Sequence, residues 1–176
     1  MCPMLPTALI PVRIAPGAKK RLAHVLSPAE RMDLMRRCFD HVSGVLTAAG
    51  LDVVSLEDES PRGLNGVVAA GLARCGVPAL VVHADLPLLG VEDVLSLLDE
   101  PGDVVIARSY DGGTNGLLLR RVIAPAFGVD SAHAHASRAR AAGLSCRVVD
   151  IPGFARDIDD PASLTASGGA FRRRNL

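Results

Sequence analysis

The chain has 176 residues, enough for one domain in which roughly 70% of the surface of the unfolded chain is buried. Nineteen Lys and Arg balance nineteen Asp and Glu, so the basic footprint that non-specific nucleic-acid binding needs is missing. Hydrophobic residues reach 49% with four Phe, one Tyr and no Trp, which demands an aliphatic core and excludes both a base-stacking platform and a disordered chain.

Strand-like and helix-like patterns alternate along the sequence. Ala8 to Ile14 (ALIPVRI) reads as a short buried strand, followed by a Pro/Gly/Lys turn from Ala15 to Arg21. Ser27-Pro28-Ala29-Glu30 carries the signature of a helix start: a capping hydroxyl, Pro at the first helical position and Glu three residues after the cap. Met35, Cys38, Phe39, Val42, Val45 and Leu46 continue it at helical spacing, and Gly50 closes it. Asp52 to Leu56 is a second strand, Asn65 to Arg74 a helix entered from a Pro61-Arg62-Gly63 turn, and Ala79 to Val82 (ALVV) a strand covered on both faces. Val91 to Leu98 is helical, Asp103 to Ala107 a strand, and Tyr110 to Gly116 a glycine-rich loop before a strand at Leu117 to Leu119. A helix over Ser131 to Ala142 and a strand over Ser145 to Ile151 complete the pattern. This order predicts an α/β fold with an open, mostly parallel sheet and helices on both faces, whose ligand crevice lies beyond the carboxyl ends of the strands.

Cys2, Cys38, Cys75 and Cys146 are scattered and expected to be reduced. The opening MCPMLPTALIPV has no basic start and is broken by prolines, so it is not read as a signal peptide. No run approaches the ~18 apolar residues of a membrane span. A cytoplasmic protein with neither membrane nor nucleic-acid partner is expected.

Residues that can carry chemistry fall just after the strands. Lys19, Lys20 and Arg21, beside glycine, suit a polyphosphate, although a basic loop is more often a solvated turn. Asp85, in His83-Ala84-Asp85-Leu86-Pro87, stands where a carboxylate can hold a divalent metal on bound phosphates; the bland alternative is a turn Asp. His83 is read as a satisfied core histidine. In Asp157-Ile158-Asp159-Asp160-Pro161 the carboxylates at 157 and 159 are expected to point apart, so that at most one faces the metal and the other caps a helix near Pro161; a structural turn is an equal alternative. Asp111-Gly112-Gly113-Thr114-Asn115-Gly116 is read as a loop that wraps its backbone around a ligand, the alternative being a simple hairpin turn, which would not need Thr and Asn beside the glycines. Asp130 or Ser131 is an N-cap, at a helix start that can also receive a carboxylate or phosphate. His133 and His135 diverge by about 200° on a helix, which argues against a shared metal. G-x-S-x-G, H-E-x-x-H and G-x-G-x-x-G are absent, so covalent and nicotinamide chemistry lack support.

Together these segments resemble the guanylyltransferases that act on 2-phospho-L-lactate or phosphoenolpyruvate in the biosynthesis of the deazaflavin coenzyme F-420. IPVR from Ile10, AKKRLAHVLSPAER from Ala18, GLN from Gly63, DLPLL from Asp85, DGGTNGLLLR from Asp111, FGVDS from Phe127 and DIDDP from Asp157 occur in family order. The family usually has Lys at the position of Arg13, Gly at Ala84, Thr at Asp160, and Pro and Phe at Val129 and Ala132. The resemblance implies a Rossmann-like nucleotidyltransferase fold over residues 1–176 as one domain, with about 1–7 and 167–176 flexible. It implies GTP as donor, a small phosphorylated carboxylic acid as acceptor (3-phosphoglycerate being a third candidate) and Mg²⁺ or Mn²⁺ as cofactor. By motif, Asp85 with Asp157 or Asp159 would hold the metal, and Thr114, Gly128 and Ser131 the phospho-acid. Arg13, Lys19, Arg21, Gly63, Leu64, Asn65 and Asp85 would lie along GTP, with Lys19 and Arg21 stabilising the transition state. The cations near Lys19 and the carboxylates at Asp85 and Asp157 are expected as two separate groups joined through metal-bound GTP. A homodimer is compatible with this reading. The alternatives are a sister enzyme, such as a molybdopterin guanylyltransferase or an isoprenoid-pathway cytidylyltransferase, and a nucleotide-binding module without turnover.

Overall fold

Short aliphatic runs form the strands and amphipathic segments cover them. The structure, a computed structural model, describes residues 4–15, 17–57 and 63–166. The elements in chain order are β1 (Thr7–Val12), α1 (Pro28–Ala48), β2 (Val53–Glu57), α2 (Gly63–Cys75), β3 (Ala79–Val82) and α3 (Val91–Asp99). They continue with β4 (Val104–Arg108), β5 (Thr114–Leu119), α4 (Ser131–Ala141), β6 (Cys146–Val149) and α5 (Pro161–Ala166). Single 3-10 turns span Lys20–Leu22 and Pro152–Phe154.

One six-stranded sheet has the order β2-β1-β3-β5-β4-β6. β1 runs parallel to β2 and β3, and β4 parallel to β6, whereas β5 is antiparallel to both of its neighbours. The predicted mostly parallel sheet is thus present, with one reversed strand in its interior. β5 is also longer than expected: Thr114, Asn115 and Gly116 belong to the strand instead of lying in the loop. The reversal follows from the short connection, since a tight turn returns the chain antiparallel and a parallel return needs a crossover.

Alternation along each strand sends side chains into two cores. On one face Ile10, Leu80, Val82, Val105 and Leu118 meet Met35, Val42 and Leu46 of α1 and Val94 and Leu97 of α3. On the other, Leu9, Val81, Ile106 and Leu117 meet Val67, Val68 and Leu72 of α2 and Ala132, Ala136 and Ala139 of α4. The expected capping box is present: the Ser27 hydroxyl accepts the Glu30 N–H at 3.3 Å, and the Glu30 carboxylate accepts the Ser27 N–H at 2.8 Å. Such a cap typically contributes about 1 kcal/mol. A small third cluster of Leu22, Leu34, Cys38 and Ile158 joins α1 to the segment before α5. The expectation of a flexible tail over 167–176, like that for residues 1–3, lies outside the described residues, and Thr7 is already part of β1.

Among the described residues no helix is long and apolar enough to cross a membrane.

Candidate functional site

The carboxyl end of β3 carries the first half of the site. The chain leaves the strand through His83 and Ala84 to Asp85, whose side chain is 13% exposed. Ile158 brings the second carboxylate segment to it. The Ile158 side chain is fully buried against Leu22, Leu34 and Cys38, and its N–H donates to the Asp85 carbonyl at 3.1 Å. Asp157 and Asp159 flank this anchor, and each offers an oxygen within a set spanning 4.8 Å that includes Asp85. The expectation that 157 and 159 diverge is therefore corrected. In an extended segment adjacent residues alternate, so i and i+2 share a side and burial of Ile158 turns both carboxylates to Asp85. Neither caps the following helix; Asp160 does, its Oδ1 accepting the Ser163 N–H at 2.7 Å.

The basic loop packs directly against this cluster. Lys19 sits in the left-handed region at φ 52°, and the loop around it is tied to α1 by Arg31, a buried side chain. The Arg31 guanidinium donates to the Ala18 carbonyl at 3.0 Å and the Leu26 carbonyl at 2.8 Å. The Lys19 ammonium pairs with Asp85 and Asp159 together. Arg13, Lys20 and Arg21 join Lys19, Met35 and Asp159 around a pocket of about 430 Å³. The two groups expected to be separate are one cluster, because Lys19 reaches across and makes the contact itself. A cleft of about 460 Å³ between β2 and α2, lined by residues including Ser55, Glu57 and Arg74, contains none of Asp85, Asp157 and Asp159.

The charges balance unevenly. Burial pulls the Lys19 ammonium down, but Asp85 and then Asp159 outweigh it and hold its pKa above the ordinary value. Burial raises Asp85, but Lys19 and then His83 prevail and keep it below the usual carboxylate range. Asp157 receives less compensation: burial first, then Asp85 and Asp159, push it up to about 6.

The second half lies where β5 meets α4. Thr114, Ser131 and His135 are all buried. The Ala126 N–H donates to His135 Nε2 at 2.9 Å, so the ring proton resides on Nδ1, which lies 3.0 Å from Thr114 Oγ1. Ser131 Oγ lies 3.2 Å from the same oxygen. Two hydroxyls share one bond and His135 supplies a further donor. One hydroxyl proton of the pair therefore has no acceptor among the described residues. Burial and then Arg138 push the His135 pKa down to about 4, so the ring is neutral. Ser131 is the first residue of α4, not its cap, and Asp130 holds the cap position at φ 53° without a side-chain bond. The exposed Gly128 has φ +144°, a conformation that suits glycine alone. Asn65 braces the loop from α2: its amide donates to the Phe127 carbonyl at 3.0 Å and its oxygen accepts the Phe127 N–H at 2.7 Å. Gly63, Leu64 and Asn65 therefore open α2 beside the Phe127-Gly128 loop.

The glycine-rich segment turns into β5. Asp111 accepts from the Ser109 hydroxyl and the Gly113 N–H, which closes the turn. A Cβ on Gly116 would lie 2.7 Å from the Phe154 ring, and Asn115 donates to the Phe154 carbonyl at 2.9 Å. These contacts set the turn and the strand packing, and Thr114 brings its hydroxyl to Ser131 and His135. His83 is corrected as well. It is not a satisfied core histidine, for its Nε2 is buried with no partner among the described residues.

The sequence shows His135 only as a metal ligand to be set aside, and it gives no role to Arg31 or Ile158. For His135 the signal was its spacing of four from Ser131, which puts both on one helical face. His133 is elsewhere, with Nε2 3.4 Å from Ser137 Oγ. Arg31 and Ile158 act through tertiary contacts that spacing does not reveal.

With this geometry in view, the comparisons with known proteins are decisive. Residues 50–166 match the family described as "Guanylyl transferase CofC like". The chain belongs to this family. It is 34% identical to the phosphoenolpyruvate guanylyltransferase of Sphaerobacter thermophilus, covering 94% of each chain. It is 36% identical to the 2-phospho-L-lactate guanylyltransferase of Methanothermobacter thermautotrophicus, covering 81% of this chain and 75% of that one. Identity to the 3-phospho-D-glycerate guanylyltransferase of Phenylobacterium zucineum is 34%, over 94% of this chain and 92% of that one. The fold matches that of 2-C-methyl-D-erythritol 4-phosphate cytidylyltransferase from Thermus thermophilus, with TM-score 0.52 and 18% identity over 97% of this chain and all of that one. The expected nucleotidyltransferase fold is thus the fold of the chain.

Proposed function

We propose that this member of the family transfers GMP from GTP to the phosphate of a small phosphorylated carboxylic acid and releases pyrophosphate, a step of coenzyme F-420 biosynthesis in the cytoplasm. The observation that carries the proposal is the convergence of Asp85, Asp157 and Asp159 on the Lys19 ammonium at the carboxyl end of β3. Carboxylate oxygens suit Mg²⁺ or Mn²⁺. Asp85, Asp157 and Asp159 offer three oxygens within 4.8 Å of one another, and Lys19 pairs with only two of these carboxylates, so the residues fit a divalent ion. When bound, the ion supplies charge neutralisation for a triphosphate.

The other steps need only this chain's residues and the substrates. The acceptor phosphate, with a second pKa near ~6, is already largely ionised at neutral pH. One of its oxygens forms a bond to the α-phosphorus of GTP as the bond to the leaving pyrophosphate breaks. The nucleophile needs no general base, consistent with the buried and neutral state of His135. Lys19, Arg21 and Arg13 line the pocket proposed for the triphosphate and offset the charge spread over the transferring group. Gly63, Leu64 and Asn65 lie along the nucleotide. Gly128 and the Thr114–Ser131 pair receive the acid, the uncommitted hydroxyl proton donating to one of its oxygens.

The test is a pyrophosphate-release panel of four nucleoside triphosphates against phosphoenolpyruvate, 2-phospho-L-lactate and 3-phosphoglycerate with Mg²⁺. Release with GTP and one of the acids is expected. Release with CTP instead of GTP, or none with any pair, overturns the proposal.

A further inference from the structure

His83 stands between the two halves of the site and has no assigned role. It follows Val82 at the end of β3 and shares the sheet face of Val81, that of the second core. Its main-chain N–H is held by the Asn115 carbonyl at 3.1 Å, which fixes it beside the start of β5 where Thr114 lies. Its ring is 5.4 Å from that of Phe127, and Phe127 lies 4.8 Å, edge-on, from His135, the residue bonded to Thr114. Asp85 is two residues further along the chain.

Among the described residues neither ring nitrogen of His83 has a hydrogen-bond partner. Nε2 is sealed from solvent, while the residue as a whole keeps partial exposure and Nδ1 is not among the sealed atoms. A buried polar atom without a partner costs stability, and an apolar ring would fill the place beside Phe127 without that cost. The imidazole is therefore poorly explained by packing. With no acceptor beside Nε2, the N–H of a neutral ring is better placed on Nδ1, the nitrogen not sealed away.

We infer that His83 is a specificity-determining residue that donates a hydrogen bond to an oxygen of the phosphorylated acid, at a point between the carboxylate cluster and the Thr114–Ser131 pair. The inference rests on the guanylyl-transfer reading above. On this assignment the acid is gripped from both strands, by Thr114 of β5 and by His83 at the end of β3. Phe127 keeps the two imidazoles in fixed relation.

The experiment compares wild type, His83→Phe and His83→Asn. It measures KM for acid and GTP in the release assay, Kd for phosphoenolpyruvate, 2-phospho-L-lactate and 3-phosphoglycerate by calorimetry with Mg²⁺ and a non-hydrolysable GTP analogue, and Tm. His83→Phe should weaken the acid by roughly 10-fold or more, the loss expected for a hydrogen bond to a charged group. GTP KM should stay within about 2-fold and Tm should not fall, since an unpartnered atom is removed. His83→Asn keeps a donor and should retain most of the acid affinity. Acid affinity unchanged in His83→Phe, or acid and GTP weakened equally, overturns the inference while wild-type turnover leaves the proposed function standing. A wild type that neither binds nor turns over any of the three acids overturns both.

Discussion

Replacing Asp157 by Asn should stabilise the metal-free protein while removing its response to metal. Lys19 pairs with Asp85 and Asp159, and no side chain donates to the Asp157 carboxylate among the described residues. Its pKa stands at about 6 against an ordinary value of 3.8, so between those values the folded protein holds a proton that the unfolded chain has lost. The stability this contributes is complete below the unfolded value and is lost as pH rises through the folded one. About 2 pKa units correspond to at most ~3 kcal/mol, and partial exposure of the group reduces this to about 1–2 kcal/mol. Asn carries no charge at any pH and escapes that loss. In EDTA at about pH 7.5 the variant should melt roughly 2–6 °C above wild type for a chain of this size, with the difference shrinking towards pH 4.5. Mg²⁺ should raise the wild-type Tm and leave the variant nearly unmoved, and turnover should drop by roughly 10²–10³. A variant that melts at or below wild type at the higher pH, or whose advantage does not depend on pH, refutes this account of the cluster.

Asp85→Asn should likewise lower turnover by about 10²–10³, and near-normal release of pyrophosphate would remove Asp85 from the reaction. Lys19→Met leaves three carboxylates facing one another: Tm in EDTA should fall, by about 2 kcal/mol of stability given the half-exposed Asp159. The Mg²⁺-induced rise in Tm should exceed that of wild type because a competing cation is gone, and a smaller rise would contradict this. Ile158→Ala opens a cavity beside Leu22, Leu34 and Cys38 and should cost about 2–4 kcal/mol by denaturant titration. It should also weaken the Mg²⁺ response, which unaltered metal affinity would rule out. His135→Leu strands the Ala126 N–H and frees the Thr114 hydroxyl; stability should drop by about 1–3 kcal/mol. KM for the acid should rise more than KM for GTP, with partial recovery in His135→Gln, and equal rises would assign His135 to packing alone.

The fold was largely legible because its signals are local. The ALVV run of β3 and the capping box of α1 depend on residues within a few positions of each other, and both stand where periodicity and capping chemistry put them. The direction of β5 was not legible. Leu117 to Leu119 reads as a strand in either sense, and only the shortness of its connection to β4 reveals that it runs antiparallel. The role of Gly116 was not legible for a related reason: it answers to the Phe154 ring, a contact between residues distant in sequence that no local pattern encodes.

The site was legible as a set of residue types but not as an arrangement. Zero net charge suggests cations and carboxylates kept apart until a ligand joins them, whereas Lys19 neutralises Asp85 and Asp159 directly. What decides this is Ile158. One aliphatic side chain drives into the third core, its N–H bonds the Asp85 carbonyl, and the alternation of an extended chain then turns both flanking carboxylates to the same point. The polar chemistry is thus positioned by an apolar residue, much as Thr114 is positioned by a histidine whose tautomer is fixed by the main chain at Ala126. In each half the residue that touches the crevice carries the recognisable motif. The residue that aims it lies far off in sequence or passes for core. That division explains why motif reading finds the first kind readily and needs the folded chain for the second.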